Sequence, residues 1–186
     1  MKLGGVKLAA ILQNGQGFTG VASGSTGKTV QIGLYTPEQR QLRDSTRWTL
    51  VQGLLAPFQF LVMLISVALI ARFLLTGEGL VAANLSIVAK TLTLYTIMIT
   101  GAIWEKVVFG QYLFAPAFFW EDVVSMGVIA LHTFYLIALY TGLLTPHQMM
   151  ALALAAYATY FVNAVQFIWK LRSARLQAAS MAGGVA

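Results

Sequence analysis

Four long apolar stretches constrain this chain more than anything else in it. Trp48 to Ala71 runs for 24 residues without a charge, and Leu80 to Trp104 is broken only by Lys90. From Val123 to Trp169 no Asp, Glu, Lys or Arg occurs in 47 residues, and Gly142 to Pro146 divides that run in two. An α-helix needs about 20 apolar residues to cross the hydrocarbon of a bilayer. The chain is 58% hydrophobic and 10% charged, where a soluble domain carries roughly 25% charged residues. A water-soluble core built from 186 residues cannot absorb that much apolar surface. The expected fold is an all-α integral membrane protein, a four-transmembrane-helix bundle in one domain over residues 35–175. Its spans are expected at about 48–74, 80–107, 116–141 and 146–170.

The flanks read differently. Residues 1–34 are rich in Gly, Ser, Thr and Gln, and predict a disordered, flexible tail; 176–186 predict a second one. Leu8 to Leu12 is too short for the apolar core of a secretory signal, and no small-residue cleavage site follows. Gly24 to Thr29 imitates a phosphate loop, but Ala22 stands where the motif needs glycine and no apolar strand precedes it. Thr36-Pro37-Glu38-Gln39 combines a cap, a proline suited to the first helical position and capping-box spacing. With Arg40, Arg43, Asp44 and Arg47 it predicts a short helix at the membrane interface. Trp48 is an interfacial anchor, Pro57 a kink site, Arg72 the end of the first span.

The net charge is +6 and there are no cysteines. Thiolate chemistry, disulfides and cysteine-ligated metal centres are excluded. The basic residues flank apolar runs and lack the aromatic interleaving of a single-strand binder, so no nucleic-acid partner is expected. Four spans put both termini on one side. That side collects Arg40, Arg43, Arg47, Lys106, Lys170, Arg172 and Arg175, which places the termini in the cytoplasm.

The same topology brings Glu105, Lys106, Glu121 and Asp122 to similar depth near the cytoplasmic face. Ionisable groups in spans are costly and usually face the bundle interior or a water-filled cavity. Crowded carboxylates suit an acid–base pair; the alternative is that Lys106 pairs with one acid and the others reach the headgroups. His132 follows Glu121 by eleven residues, close to three turns, so both share a face roughly 16 Å apart along the axis. It suits an interhelical hydrogen bond, a proton relay or a single metal-ligand position; no second histidine stands at ligand spacing. Tyr160, Asn163, Gln166 and Lys170 form one helix stripe, as do Gln52 and Gln59, which glues helices together or lines a pocket. Lys90 is expected to snorkel to the far interface and His147 to be solvated. Trp104, Tyr112, Phe114, Phe118, Phe119 and Trp120 gather aromatic surface near the polar cluster, which suits the interface or a flat polycyclic ligand.

Several of these segments resemble one family. Thr36-Pro-Glu-Gln-Arg40, Trp48-Thr-Leu-Val-Gln-Gly53, Ile103-Trp-Glu-Lys-Val-Val-Phe-Gly110 and Tyr112-Leu-Phe-Ala-Pro-Ala-Phe-Phe-Trp-Glu-Asp122 are similar to the 3-vinyl bacteriochlorophyllide hydratases. So is Ala155-Ala-Tyr-Ala-Thr-Tyr160 leading to Asn163 and Gln166. The resemblance spans about residues 35 to 175. It implies addition of water to the C3 vinyl group of chlorophyllide or its bacteriochlorin relative, giving a 1-hydroxyethyl group in bacteriochlorophyll synthesis. It implies a bacterial inner or intracytoplasmic photosynthetic membrane and no redox cofactor, with magnesium only as part of the tetrapyrrole.

Such a reaction wants an acid to protonate the terminal CH2 and a base to take a proton from water. The expected acid is Glu121 or Glu105, with Asp122 as base or water-orienting group. Lys106 is expected to tune them or meet a substrate propionate, and His132 to be an axial ligand to the substrate magnesium. Trp104, Tyr112, Trp120, Asn163 and Gln166 are the further substrate contacts expected. A non-catalytic pigment-binding or assembly protein would share the apolar pocket but not need the carboxylates in it. A transporter or proton channel would spread polar residues through the membrane, whereas here the expected concentration is on one side. Membrane lipid is a certain neighbour; self-association or contact with other bacteriochlorophyll-pathway enzymes is compatible with such a bundle. A reporter active only outside the cytoplasm, fused at the C-terminus, is expected to stay silent; activity there would overturn the topology.

Overall fold

A computed structural model describes residues 34–183. The expected N-terminal tail, apart from Leu34, and the phosphate-loop look-alike lie outside the described residues. Among these residues there are five helices: α1 (Pro37–Ser45), α2 (Arg47–Thr76), α3 (Leu80–Phe109), α4 (Phe119–Thr141) and α5 (Pro146–Gly183). The last four are long and apolar enough to cross a membrane.

The helix ends follow local chemistry. Thr36 Oγ1 accepts from the Gln39 amide at 3.2 Å, and Gln39 Oε1 accepts from the Thr36 amide at 3.0 Å, the two bonds of a capping box. Backbone hydrogen bonding at this helix start holds the Glu38 carboxyl below its ordinary range. Thr46, in extended backbone, ends α1 and caps α2. α2 runs on through Pro57 and does not stop at Arg72. It stops at Gly77, whose φ of 74° only glycine adopts cheaply. α4 opens at Phe119, not at Pro116, because Ala115 to Phe118 closes a turn through a 2.8 Å bond from the Phe118 amide to the Ala115 carbonyl. Glu121 and Asp122 therefore occupy the first turn of α4, not a deeper one. α5 continues beyond the expected end at 170 as far as Gly183, through a run of Lys, Leu, Arg, Ala and Gln that favours helix.

α2 packs along α3 and α4 along α5; the two hairpins meet through α2–α5 and α3–α4 contacts. The bundle is dressed for lipid. Leu54, Leu61, Ile65, Leu85, Ile99 and Ile137 face outward. Met63, Ile70, Ile87, Leu94, Val128 and Met150 fill the interior with Tyr135 and Tyr157. Polar bonds tie one helix to the next. The Ser66 hydroxyl lies 2.8 Å from that of Ser86 and 2.7 Å from that of Tyr157. Tyr135 donates to Asn84 at 2.8 Å, and Gln52 Nε2 to Thr100 at 2.7 Å. In lipid such bonds contribute about 0.6–2 kcal/mol each.

Two expectations fail here. Lys90 does not snorkel: it is wholly buried, ten residues into α3 with its side chain among the other helices. Polar groups are not confined to one side either, since Gln59, Ser66, Lys90, Thr91 and His132 are buried along the bundle. Hydropathy places a residue along a span but not around it, and both errors come from that.

Candidate active site

The site is built around the α3–α4 loop. Gly110 ends α3 at φ 83°, and the chain turns back through Phe114, a non-glycine residue at φ 59°. Two consecutive loop amides then point at two carboxyl groups from different helices. The Phe114 N–H donates to Asp122 Oδ2 at 2.7 Å, and the Ala115 N–H donates to Glu105 Oε2 at 3.2 Å. Glu105 and Asp122 are almost fully buried, and the two adjacent amides hold their carboxyl groups side by side. Buried carboxyl groups held this close disfavour both being ionised, which suits the pair to share one proton.

Next to it stands a carboxylate of another kind. Glu121 Oε2 accepts from Lys170 Nζ at 2.6 Å, a salt bridge between the start of α4 and the C-terminal half of α5. The Glu121 backbone carbonyl accepts from Ser125 Oγ at 2.8 Å, and Asn163 Nδ2 donates to Ser125 Oγ at 2.7 Å. Glu121 and Lys170 lie in the wall of a groove of about 600 Å³ whose other lining residues are Phe161, Val162, Val165, Gln166, Trp169 and Ser173. The groove is open and mostly apolar, with its polar groups at the Glu121 end and at Gln166.

Behind the loop lies an aromatic knot. Tyr35 stacks on Phe109 at 5.7 Å, Phe118 on Phe167 at 5.8 Å, and Trp104 meets Phe109 and Phe118 edge-on. Trp104 Nε1 donates to Thr49 at 2.9 Å. The knot fixes the loop ends against α1 and α5.

The expected site residues thus divide. Glu105 and Asp122 come together; Glu121 sits beside them but pairs with Lys170. Lys106 is exposed and donates to the Gly110 carbonyl at 2.7 Å, capping its own helix and binding no carboxylate. Its expected tuning role fails because its side chain leaves α3 on the outer face. Gln166 lines the groove and Asn163 stands behind it; Trp104 belongs to the knot; Tyr112 and Trp120 point outward. His132 is buried in the bundle, its Nδ1 donating to the Val128 carbonyl at 2.8 Å, and it is not part of the groove wall. Among the described residues no three His, Asp or Glu side chains group as a metal site. Lys170 and the α5 groove residues Phe161, Val162, Val165 and Trp169 were not expected as site residues. The stripe through Asn163, Gln166 and Lys170 was the signal that pointed to them.

The family model for 2-vinyl bacteriochlorophyllide hydratase matches residues 35–173. The chain belongs to the 2-vinyl bacteriochlorophyllide hydratase family. Older and newer macrocycle numbering call the same vinyl-bearing carbon 2 and 3. A curated protein of that name from Rhodobacter capsulatus is 69% identical over 152 residues, covering 81% of this chain and 88% of its own. One from Cereibacter sphaeroides is 71% identical over 144 residues, covering 77% and 89%. No solved structure matches the chain. The hydratase match reaches from the first residues of the aromatic knot to Ser173, so it encloses the whole groove and both carboxylate sites.

Lys170→Met leaves the Glu121 carboxylate buried beside no cation, and is expected to destabilise the hydratase by up to about 3 kcal/mol. Lys170→Met combined with Glu121→Gln should recover most of that loss. Thermal unfolding in one fixed detergent or lipid checks it; a double variant no more stable than the single one would contradict the pairing.

Proposed function

We propose that this hydratase adds water to the C3 vinyl group of magnesium chlorophyllide or bacteriochlorophyllide, giving the 3-(1-hydroxyethyl) product. One observation carries the site assignment: a buried carboxyl pair, Glu105 and Asp122, stands beside an ion-paired carboxylate, Glu121, at the end of an apolar groove. A flat, apolar ring entering from the bilayer lies along Phe161, Val165 and Trp169, with its vinyl edge at Glu121. The pair Glu105–Asp122 supplies a proton to the terminal CH2. The positive charge left on the inner carbon spreads into the macrocycle. Water adds there, and Glu121, ion-paired with Lys170, takes the proton that the water gives up. The π bond of the vinyl group and one O–H bond of water give way to one C–H and one C–O bond, and the oxidation level of the whole molecule is unchanged, so the step needs no redox cofactor.

This arrangement revises the expected roles. Glu121 lines the groove and Asp122 does not, so Glu121 takes the base role in place of Asp122. Lys106, Tyr112 and Trp120 surround the outer side of the loop, where a substrate propionate meets the headgroup region. Trp104 holds the loop, Asn163 orients Glu121 through Ser125, and Gln166 contacts the ring or the attacking water. His132 is not carried forward as a magnesium ligand, because the groove wall lies elsewhere. We place both termini on the cytoplasmic side of a bacterial inner, intracytoplasmic photosynthetic membrane. Arg40, Arg43 and Arg47 near α1 and Arg172 and Arg175 on α5 support that orientation.

Membranes holding the chain, incubated with 3-vinyl chlorophyllide in isotopically heavy water, are expected to yield a product heavier by one water. Oxygen-18 should appear in the alcohol and deuterium in the new methyl group. Val165→Trp, which fills the groove, is expected to raise KM or abolish turnover while the chain still folds. Bound pigment with no labelled product would instead indicate a carrier.

A further inference from the structure

The hydration site leaves a second polar centre unused, deep in the bundle. Every membrane-spanning helix contributes to it: Gln59 from α2, Lys90 from α3, His132 from α4, and Tyr157 and Tyr160 from α5. Gln59, Lys90 and His132 are 2%, 0% and 1% exposed. Lys90 Nζ lies 3.8 Å from the centre of the Tyr160 ring, and the His132 ring lies 5.8 Å from that of Tyr157. Gln59 is a neighbour of Tyr160, and Lys90 of His132. Yet Gln59 Oε1, Lys90 Nζ and His132 Nε2 each lack a hydrogen-bond partner among the described residues.

The chemistry of these atoms selects a ligand. The Val128 carbonyl can only accept, so His132 Nδ1 carries the hydrogen and Nε2 of the neutral ring offers a lone pair. Gln59 Oε1 is also an acceptor. Lys90 Nζ is the donor. Two lone pairs facing inward reject an anion, and the lysine rejects a metal cation. Among the described residues no carboxylate is close: Glu105 lies fifteen residues along α3 from Lys90, roughly 22 Å away, and Asp122 and Glu121 ten and eleven along α4 from His132, roughly 15 and 16 Å. What fits is a small neutral molecule that donates two hydrogens and accepts one.

We infer that Gln59, Lys90 and His132 form an internal water site at the centre of the bundle. Buried polar groups left bare cost several kcal/mol in an apolar medium, and bound waters are the usual remedy. The site also has a route outward. Asn163 Oδ1 and Gln166 Oε1 are further buried acceptors without partners, one and two steps along α5 from Tyr160, and Gln166 opens on the groove. A file of waters along these acceptors links the centre to the groove. The assignment does not depend on which reaction the groove supports.

Hydroxyl-radical footprinting by synchrotron X-rays tests it, on the full chain in lipid nanodiscs and oxygen-18 water. Radicals made from a bound water mark the side chains beside it. Tyr157 and Tyr160 are expected to gain oxygen-18 although they are buried, with the exposed Tyr140 as reference. The Lys90→Met/Gln59→Leu variant is expected to lose the Tyr160 mark and keep that on Tyr140. If that variant does not fold, His132→Phe/Gln59→Leu replaces it with the same expectation. A wild-type chain marked at Tyr140 but at neither buried tyrosine would overturn the site. So would a mark on Tyr160 that survives both variants.

Discussion

The arrangement at the α3–α4 loop end of the bundle depends on two backbone amides, those of Phe114 and Ala115, each held by a buried carboxyl group. The Phe114 backbone sits in a left-handed conformation that costs a non-glycine side chain of order 1–3 kcal/mol. A 2.7 Å bond to Asp122 is the strong, charge-assisted kind that offsets such strain. With the loop pinned, α4 must open at Phe119. That start puts Glu121 one residue before Asp122, on the side where Lys170 can reach it. Remove either carboxyl and the loop, the helix start and the polar end of the groove lose their common anchor.

The lipid environment explains why so few charges have so much structural consequence. Lipid offers a polar side chain nothing to bond, so polar groups in the spans turn toward another helix or bond their own backbone. Ser66, Asn84, Tyr135 and Tyr157 do this as pairwise ties. Glu105 with Asp122, Glu121 with Lys170, and Lys90 with Gln59 and His132 do it as small clusters. Glu121 and Lys170 line the open groove, Glu105 and Asp122 are held beside them by the loop, and the third cluster lies deep among the four long helices.

Much of this was legible in the sequence, for a physical reason. Spanning a bilayer demands long uncharged runs, and a run such as Trp48 to Ala71 admits no other reading. The capping box at Thr36 was legible because it is entirely local. Glu105, Glu121 and Asp122 were legible as one cluster because topology alone sets their depth. Their partners were not. Lipid and bundle core are equally apolar, so the hydrophobic pattern says little about which side of a span faces inward. Lys106 was therefore the partner expected, whereas Lys170, 49 residues beyond Glu121 on another helix, is the partner found, and Lys90 looked free to reach the interface. The start of α4 was misplaced at Pro116 because a proline suits a first helical position, whereas the turn closed by Phe118 takes precedence.

The central claim is that Glu105 and Asp122 act as one proton-sharing unit. A double-mutant cycle in hydratase turnover tests it most directly, with Glu105→Gln, Asp122→Asn and the combination compared at matched folded amounts. Each single change is expected to lower kcat by about 10²–10⁴-fold. The combination is expected to be no slower than the slower single variant, as for groups that work as a unit. Losses that multiply, or a single variant that keeps full turnover, would contradict the claim.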